Sequence, residues 1–350
     1  MPTLAAYFSS DYFTARDRFR EAAKSAGGRL IALTLAAKGP GNEALTIDIA
    51  WFGSAEPRRV LLHSSGIHGV EGFAGSAIQL QALEKLPSLS ADTAAIFVHA
   101  LNPYGMAWLR RVNENNVDLN RNFCTAGCHS GSPPMYASLN SFLNPPKPLG
   151  FDFYTLKAAG MILRHGMTAL KQSVAGGQYE FPKGLFFGGR QTEDGPAQYE
   201  NFLKEHVTAA ESVTVIDVHT GLGKFAQDSL LVEPVDLNAL RARFGGRITP
   251  LQPDQGAAYR IQGGLESMIF RVFTRRRPIF IGQEFGTYSS ANVLHALREE
   301  NRWHHYGKGT LDHRTKRILK ETFCPADDSW REAVLKRGEN VIMQALNEEI

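Results

Sequence analysis

The stretch from Arg59 to Leu80, RVLLHSSGIHGVEGFAGSAIQL, narrows the possible folds more than any other part of the chain. Val60, Leu61 and Leu62 form an apolar run that leads through small residues into His68-Gly69-Val70-Glu71-Gly72, and an amphipathic segment from Phe73 to Leu83 follows. A short apolar run, a glycine-punctuated turn and a longer periodic segment read as a buried strand, a tight turn and a helix. The turn would hold an imidazole and a carboxylate at the carboxyl end of the strand. That is a zinc-type ligand pair, and a catalytic zinc takes three protein ligands and leaves one position open. Gly69 and Gly72 would let the turn tighten so that both side chains face one ion.

Elsewhere, strand-like and helix-like segments alternate. Residues 10–25 have Phe13, Phe19 and Ala22 on a helical period, ended by Gly27-Gly28, and predict an N-terminal helix. The β-rich runs 30–34 and 45–51 flank a Gly-Pro-Gly-Asn cluster and predict an antiparallel hairpin. Further strands are expected at 94–100, 213–218, 228–233 and 278–284, with helices at 151–174 and 195–210 and mostly helical, polar chain from Ser290 onward. Residues 110–149, rich in Asn, Gly, Ser and Pro, read as a long irregular loop of the functional kind. This pattern predicts an α/β fold, a mixed, mostly parallel sheet with helices on both faces. No repeat, low-complexity tract or linker divides the 350 residues. One domain is expected, with a core at about 28–290 and a helical C-terminal segment over 290–350. No G-x-G-x-x-G follows the first strand, which argues against a dinucleotide fold.

Bulk properties exclude several function classes. With 43% hydrophobic and 21% charged residues, the chain has the composition of a soluble enzyme. A formal net charge of +3 gives no reason to expect a nucleic-acid or membrane-surface partner. Three cysteines, Cys124, Cys128 and Cys324, fit a reducing compartment better than a disulfide scaffold. With no signal-peptide pattern and no bilayer-length apolar run, a cytoplasmic protein is expected.

In open α/β sheets, function collects outside the carboxyl ends of strands. Four predicted strand ends carry polar groups: His68 with Glu71, Asn102, His219 and Glu284. His219 ends an apolar β run and is followed by Thr-Gly, so it is the best third ligand. His63 and His99 lack a carboxylate at short spacing and read as hydrogen-bonded core histidines. His304 and His305 read as surface residues, and Cys124-x-x-x-Cys128-His129 is too incomplete for a structural zinc site.

Taken in order, His68-x-x-Glu71, Asn102-Pro103-x-Gly105, Arg111-x-Asn113, Asp118-Leu119-Asn120-Arg121-Asn122-Phe123, Asp217-x-His219 and Glu284 resemble the motifs of the zinc carboxypeptidase superfamily. That superfamily joins carboxypeptidase A-like metallopeptidases with the succinylglutamate desuccinylase/aspartoacylase group. The resemblance covers roughly residues 58–286, and the HGVEG turn and GQYEFPKGLFFGG loop are most similar to a bacterial branch without an assigned substrate. It implies one Zn2+ held by His68, Glu71 and His219, with Asp118 orienting His68. It implies Glu284 as general base and Arg111 as the cation that stabilises a developing oxyanion. Asn120 and Arg121 would clamp a substrate carboxylate, with Tyr259 above the substrate.

The implied activity is zinc-dependent hydrolysis of an amide bond next to a free carboxylate, in a peptide or small molecule. A metallocarboxypeptidase comes first, and an N-acyl amino acid deacylase is the alternative. The desuccinylase/aspartoacylase group carries a β-rich extension after its catalytic glutamate, whereas the 66 residues after Glu284 here read as helical, which favours the carboxypeptidase-like branch. A catalytically silent binding module would be expected to have lost a ligand or the base, and none is missing. The segment 124–212 reads as an insertion able to shape or cover the cleft.

Overall fold

A computed structural model describes residues 4–124, 129–251, 261–275, 277–308 and 311–347. Tyr259 lies outside the described residues. In chain order the elements are α1 (Tyr12–Ser25), β1 (Arg29–Lys38), β2 (Ala44–Gly53), β3 (Arg59–Ser65), α2 (Gly72–Glu84), β4 (Thr93–His99), α3 (Pro103–Ala107), α4 (Pro134–Leu143), α5 (Tyr154–His165), α6 (Met167–Ala175), α7 (Asp194–His206), β5 (Ser212–Gly221), β6 (Asp228–Val232), α8 (Leu237–Phe244), β7 (Ile248–Pro250), α9 (Leu265–Val272), β8 (Ile279–Gly286), α10 (Ser290–Tyr306), α11 (Arg314–Phe323) and α12 (Asp328–Leu346).

All eight strands belong to one sheet, in the order β1-β2-β4-β3-β5-β8-β6-β7. The central four, β4, β3, β5 and β8, are parallel, and antiparallel partners flank them on both sides. The expected hairpin is β1–β2, with Leu30 opposite Ala50 and Ile31 opposite Ile49. Alternation along the strands sends residues to two separate cores. Phe52, Leu61, Phe97, Ile216 and Ile281 pack with α1, α2 and α12 on one face. Trp51, Leu62, Ile96 and Val215 pack with α7 and α9 on the other. Burial on both faces explains why the central strands read as continuous apolar runs.

The helix after the HGVEG turn is not amphipathic. Every residue of α2 from Gly72 to Leu80 is buried, between the sheet and α1 and α12, so that stretch presents no solvent-facing polar side. The irregular stretch expected at 110–149 contains α4, which starts with a proline in its first turn. The single helix expected at 151–174 is two helices broken at Gly166, whose φ of +78° no helix accommodates. Cys124 is disulfide-bonded, and Cys324 is free and buried. Among the described residues, no helix is long and apolar enough to cross a membrane.

Candidate metal centre

The carboxyl ends of β3, β5 and β8 meet at one place. β3 and β5 pair in parallel register, and β5 sets His219 directly beside Glu284 of β8. The turn after β3 brings His68 and Glu71 against the same point. Gly66 has a φ of +68° there, which only glycine adopts without strain, and it reverses the chain after Ser65. Gly69 and Gly72 do not take positive φ, so they are not needed for conformational freedom. A Cβ on Gly69 would lie 2.1 Å from the backbone carbonyl carbon of Gly105, so glycine is required there because α3 approaches so closely.

His68, Glu71 and His219 form the one group of three or more such side chains among the described residues whose donor atoms converge as metal ligands would. His68 Nδ1 lies 3.0 Å from Glu71 Oε1 and 3.3 Å from His219 Nδ1, and His219 Nδ1 lies 3.4 Å from Glu71 Oε2. Bonds of about 2.0–2.1 Å to a tetrahedral ion set donors about 3.3 Å apart, so the three side chains fit such an ion. Each imidazole turns its other nitrogen to a carboxylate: His68 Nε2 is 3.2 Å from Asp118 Oδ1, and His219 Nε2 is 2.7 Å from Asp217 Oδ2. Ser64 Oγ in turn donates to Asp217 Oδ1 at 2.6 Å. Carboxylate–imidazole pairs of this kind select the tautomer that frees Nδ1 for a metal. Thr220 N–H donates to Glu71 Oε2, holding the third donor in place.

Arg111 lies on the same cluster. Its guanidinium donates to Glu71 Oε1 at 2.8 Å and Asp118 Oδ2 at 3.1 Å, and its Nη2 is 2.7 Å from His68 Nε2. Burial works against ionisation of Asp118, but Arg111, Arg121 and His68 outweigh it and hold the carboxyl well below its usual range. His219 is raised well above the usual histidine range: burial alone would lower it, and the carboxylates of Asp217 and Glu71 together more than offset this. Glu284 accepts the Leu222 N–H at Oε1 (2.8 Å), and burial pushes its carboxyl up to about 7 against the opposing pull of His219.

The expected carboxylate clamp has a different environment. Arg121 is fully buried, with its guanidinium donating to the backbone oxygens of Ala175 and Asn120. Asn120 Oδ1 accepts the N–H of Leu265 at the start of α9. The insertion thus covers Arg121: Gly177 lies against its side chain, and the Phe186 ring sits 6.0 Å from its guanidinium and 5.4 Å from that of Arg111. Phe186 holds this position with a φ of +56°, an uncommon conformation for a non-glycine residue. The sequence signal for this cover is the 124–212 insertion, read as able to shape or cover the cleft but not as a plug on Arg121.

His63 and His99 are buried core residues, as expected. His63 Nδ1 lies 3.2 Å from Gln79 Nε2, and His99 Nε2 lies 3.1 Å from Ser76 Oγ. Sequence reasoning missed Ser64, whose position one residue from the end of β3 and opposite Asp217 on the next strand carries no spacing signal. It also missed the buried cluster of Arg110, Glu300 and Lys316, in which Glu300 Oε1 accepts from both cations. His304 and His305, expected at the surface, are half-buried at the end of α10 beside this cluster.

Several solved structures are similar to the chain at low identity. Carboxypeptidase A from Helicoverpa armigera shares 14% identity at a TM-score of 0.49, over 90% of this chain and 74% of that one. Bovine thrombin-activatable fibrinolysis inhibitor, in complex with tick carboxypeptidase inhibitor, shares 10% at 0.45, over 96% and 97%. An aspartoacylase family protein from Mesorhizobium loti shares 15% at 0.37, over 81% and 68%. No curated protein matches the chain. A family model described as "Protein of unknown function (DUF2817)" matches residues 8–337, and the chain belongs to that family.

Proposed function

We propose that the protein is a zinc-dependent hydrolase of amide bonds, most closely a metallocarboxypeptidase. The observation that carries this reading is the convergence of His68 Nδ1, Glu71 and His219 Nδ1, each imidazole backed by a carboxylate, with Glu284 one strand away. Zinc held there would supply Lewis-acid polarisation of the scissile carbonyl and of the attacking water. Glu284 would take the proton of that water at its carboxylate and pass it to the leaving nitrogen. Arg111 would face the oxygen that gains charge as the carbonyl becomes tetrahedral.

The geometry also bears on how Arg111 would become available. A metal at His68 Nδ1 requires the remaining proton on Nε2, directed to Asp118. An N–H there cannot accept from Arg111 Nη2, so that contact would loosen with a metal bound, leaving the guanidinium held by Asp118 and Glu71. Recognition of a free carboxylate by Arg121 would require the loop over it to open, since its donors are engaged with Ala175 and Asn120.

Elemental analysis of wild type and His219→Ala, with turnover of blocked dipeptides and N-acyl amino acids, tests the proposal. One divalent ion per chain is expected, lost in His219→Ala with the fold intact. Glu284→Gln should retain the metal and lose turnover of whichever substrate is cleaved. A wild-type protein that takes up no stoichiometric ion under any loading condition would sink the reading. Arg121→Ala distinguishes a clamp from a buried tie: a clamp raises KM with stability unchanged, whereas the observed bonds predict a loss of roughly 2–4 kcal/mol in stability.

A further inference from the structure

Ten large hydrophobic side chains are exposed among the described residues, and five of them fall between 151 and 167. They are Phe151 (87% exposed), Phe153 (59%), Leu156 (72%), Leu163 (90%) and Met167 (40%). Scattered exposed apolar residues need no explanation, but a contiguous strip of this kind marks an interaction surface. α5, which carries its centre, has no buried residue at all. Its base is nonetheless anchored: Tyr154 donates to the carbonyl of Ala291 and its ring lies parallel to Phe142, 5.5 Å away.

Charge decides what this strip fits. Leu156 and Leu163 stand seven residues apart on one helix face. Lys157 and Arg164 follow them at the same spacing, one position round the helix, while Lys147 precedes α5 and Lys171 lies in α6. Between 144 and 175 the only acid is Asp152, and it is turned to Arg298 and Arg302 of α10. The strip therefore combines exposed apolar side chains with a basic excess, Lys147, Lys157, Arg164 and Lys171 against the single carboxylate of Asp152, whose field also reaches Lys157. The chain-wide balance of +3, which gave no reason to expect an anionic surface, conceals this local excess. A second copy docked face to face would set the cations of one strip against those of the other, which is unfavourable for a two-fold interface.

We infer that the α5–α6 hairpin docks on an anionic lipid surface, with Phe151, Phe153, Leu156 and Leu163 entering the headgroup boundary and Lys157 and Arg164 facing lipid phosphates. Helices with an apolar face and a basic flank lie in the membrane plane in this manner, and their long cationic side chains bury their stems while the charges stay wet.

Flotation of the full-length protein with phosphatidylcholine vesicles, with and without phosphatidylglycerol, tests the inference. Binding is expected only with phosphatidylglycerol, weakening as salt is added. Lys157→Gln and Arg164→Gln should each lower partition roughly five-fold, and Leu163→Ser about ten-fold or more, with unfolding curves unchanged because none of these residues is buried. Absence of binding to either vesicle, or equal binding to both, overturns the inference. So does a wild-type dimer in light scattering that becomes monomeric in Leu156→Ser/Leu163→Ser, since the strip then serves a second copy. Metal binding at His68, Glu71 and His219 is a separate readout, so failure here leaves the hydrolase reading standing.

Discussion

His68 and His219 each present Nδ1 to one point and Nε2 to a buried carboxylate, and that symmetry makes the two acids measurable at the scale of single residues. Asp217 and Asp118 do not reach the ion position themselves, so their removal tests orientation and basicity of the ligands. Asp217→Asn and Asp118→Asn should each weaken metal affinity about 10–100-fold without emptying the site at saturating metal. Competition titration against a chelator, alongside turnover at saturating metal, separates this from a direct loss of chemistry. Asp118→Asn should be the more disruptive, because Asp118 also receives Arg111 and lies 3.8 Å from Arg121. Unchanged affinity in both variants would mean that the imidazoles are held by packing alone. Ser64→Ala, which frees only Asp217 Oδ1, should produce a smaller shift in the same direction.

At the scale of elements, the turn after β3 depends on α3. Gly69 N–H donates to Arg111 O and Val70 N–H to Arg110 O, so the ligand turn is laced to the chain that follows α3, and a Cβ at 69 would strike α3 backbone at 2.1–2.4 Å. Neither partner can yield by rotating a side chain. Gly69→Ala should therefore cost about 1–3 kcal/mol in stability and displace Glu71 from the cluster. Thermal unfolding with metal titration would register both, and an unperturbed metal affinity would show that the turn can shift as a unit. This dependence also marks the limit of what the chain reveals as text. His68, Glu71, His219 and Glu284 could be singled out because motif order set them near the carboxyl ends of apolar runs, and the first three do converge. The reason for Gly69 was not legible, because it lies in a contact between segments 36 residues apart in sequence (69 against 105). The burial of Arg121 was hidden for the same reason: a D-L-N-R-N-F turn reads identically whether its arginine faces a cleft or lies beneath a loop from residues 175–186. Leu265, Met268, Ile269 and Val272 of α9 did carry a helical period that could have been found. The strands were the most readable elements, since burial on both faces leaves an unbroken apolar signature.

At the scale of the whole molecule, the sheet encloses two histidines that cannot be protonated without cost. Burial, the largest cause, holds His63 at about 4 against the opposing pull of Asp217, and burial together with the Arg20 and Arg16 charges holds His99 at about 3, against an ordinary value of 6.5. Each has one ring nitrogen without a partner, His63 Nε2 and His99 Nδ1, and His99 is stacked on Phe19 at 4.9 Å. Their folded values are depressed, so the unfolded chain takes up protons first. The stability they confer is complete above pH 6.5 and is lost as pH falls toward 4 and then 3. At pH 5 the unfolded chain has gained about 2 kcal/mol from each, a large share of the margin by which a domain stays folded. His219 beside Asp217 has the opposite sign, and its contribution cancels when variants are compared at equal pH. Urea midpoints of wild type and a His99 variant, read at pH 8 and pH 5, isolate the histidine contribution from that of Glu284, whose raised carboxyl gains stability as pH falls over the same range. His99→Phe, which preserves an aromatic ring against Phe19, should match wild type within about 1 kcal/mol at pH 8 and lose roughly 2 kcal/mol less on acidification to pH 5. If the two proteins lose stability in parallel, His99 is protonated in the folded state, and the acid sensitivity must lie elsewhere in the sheet.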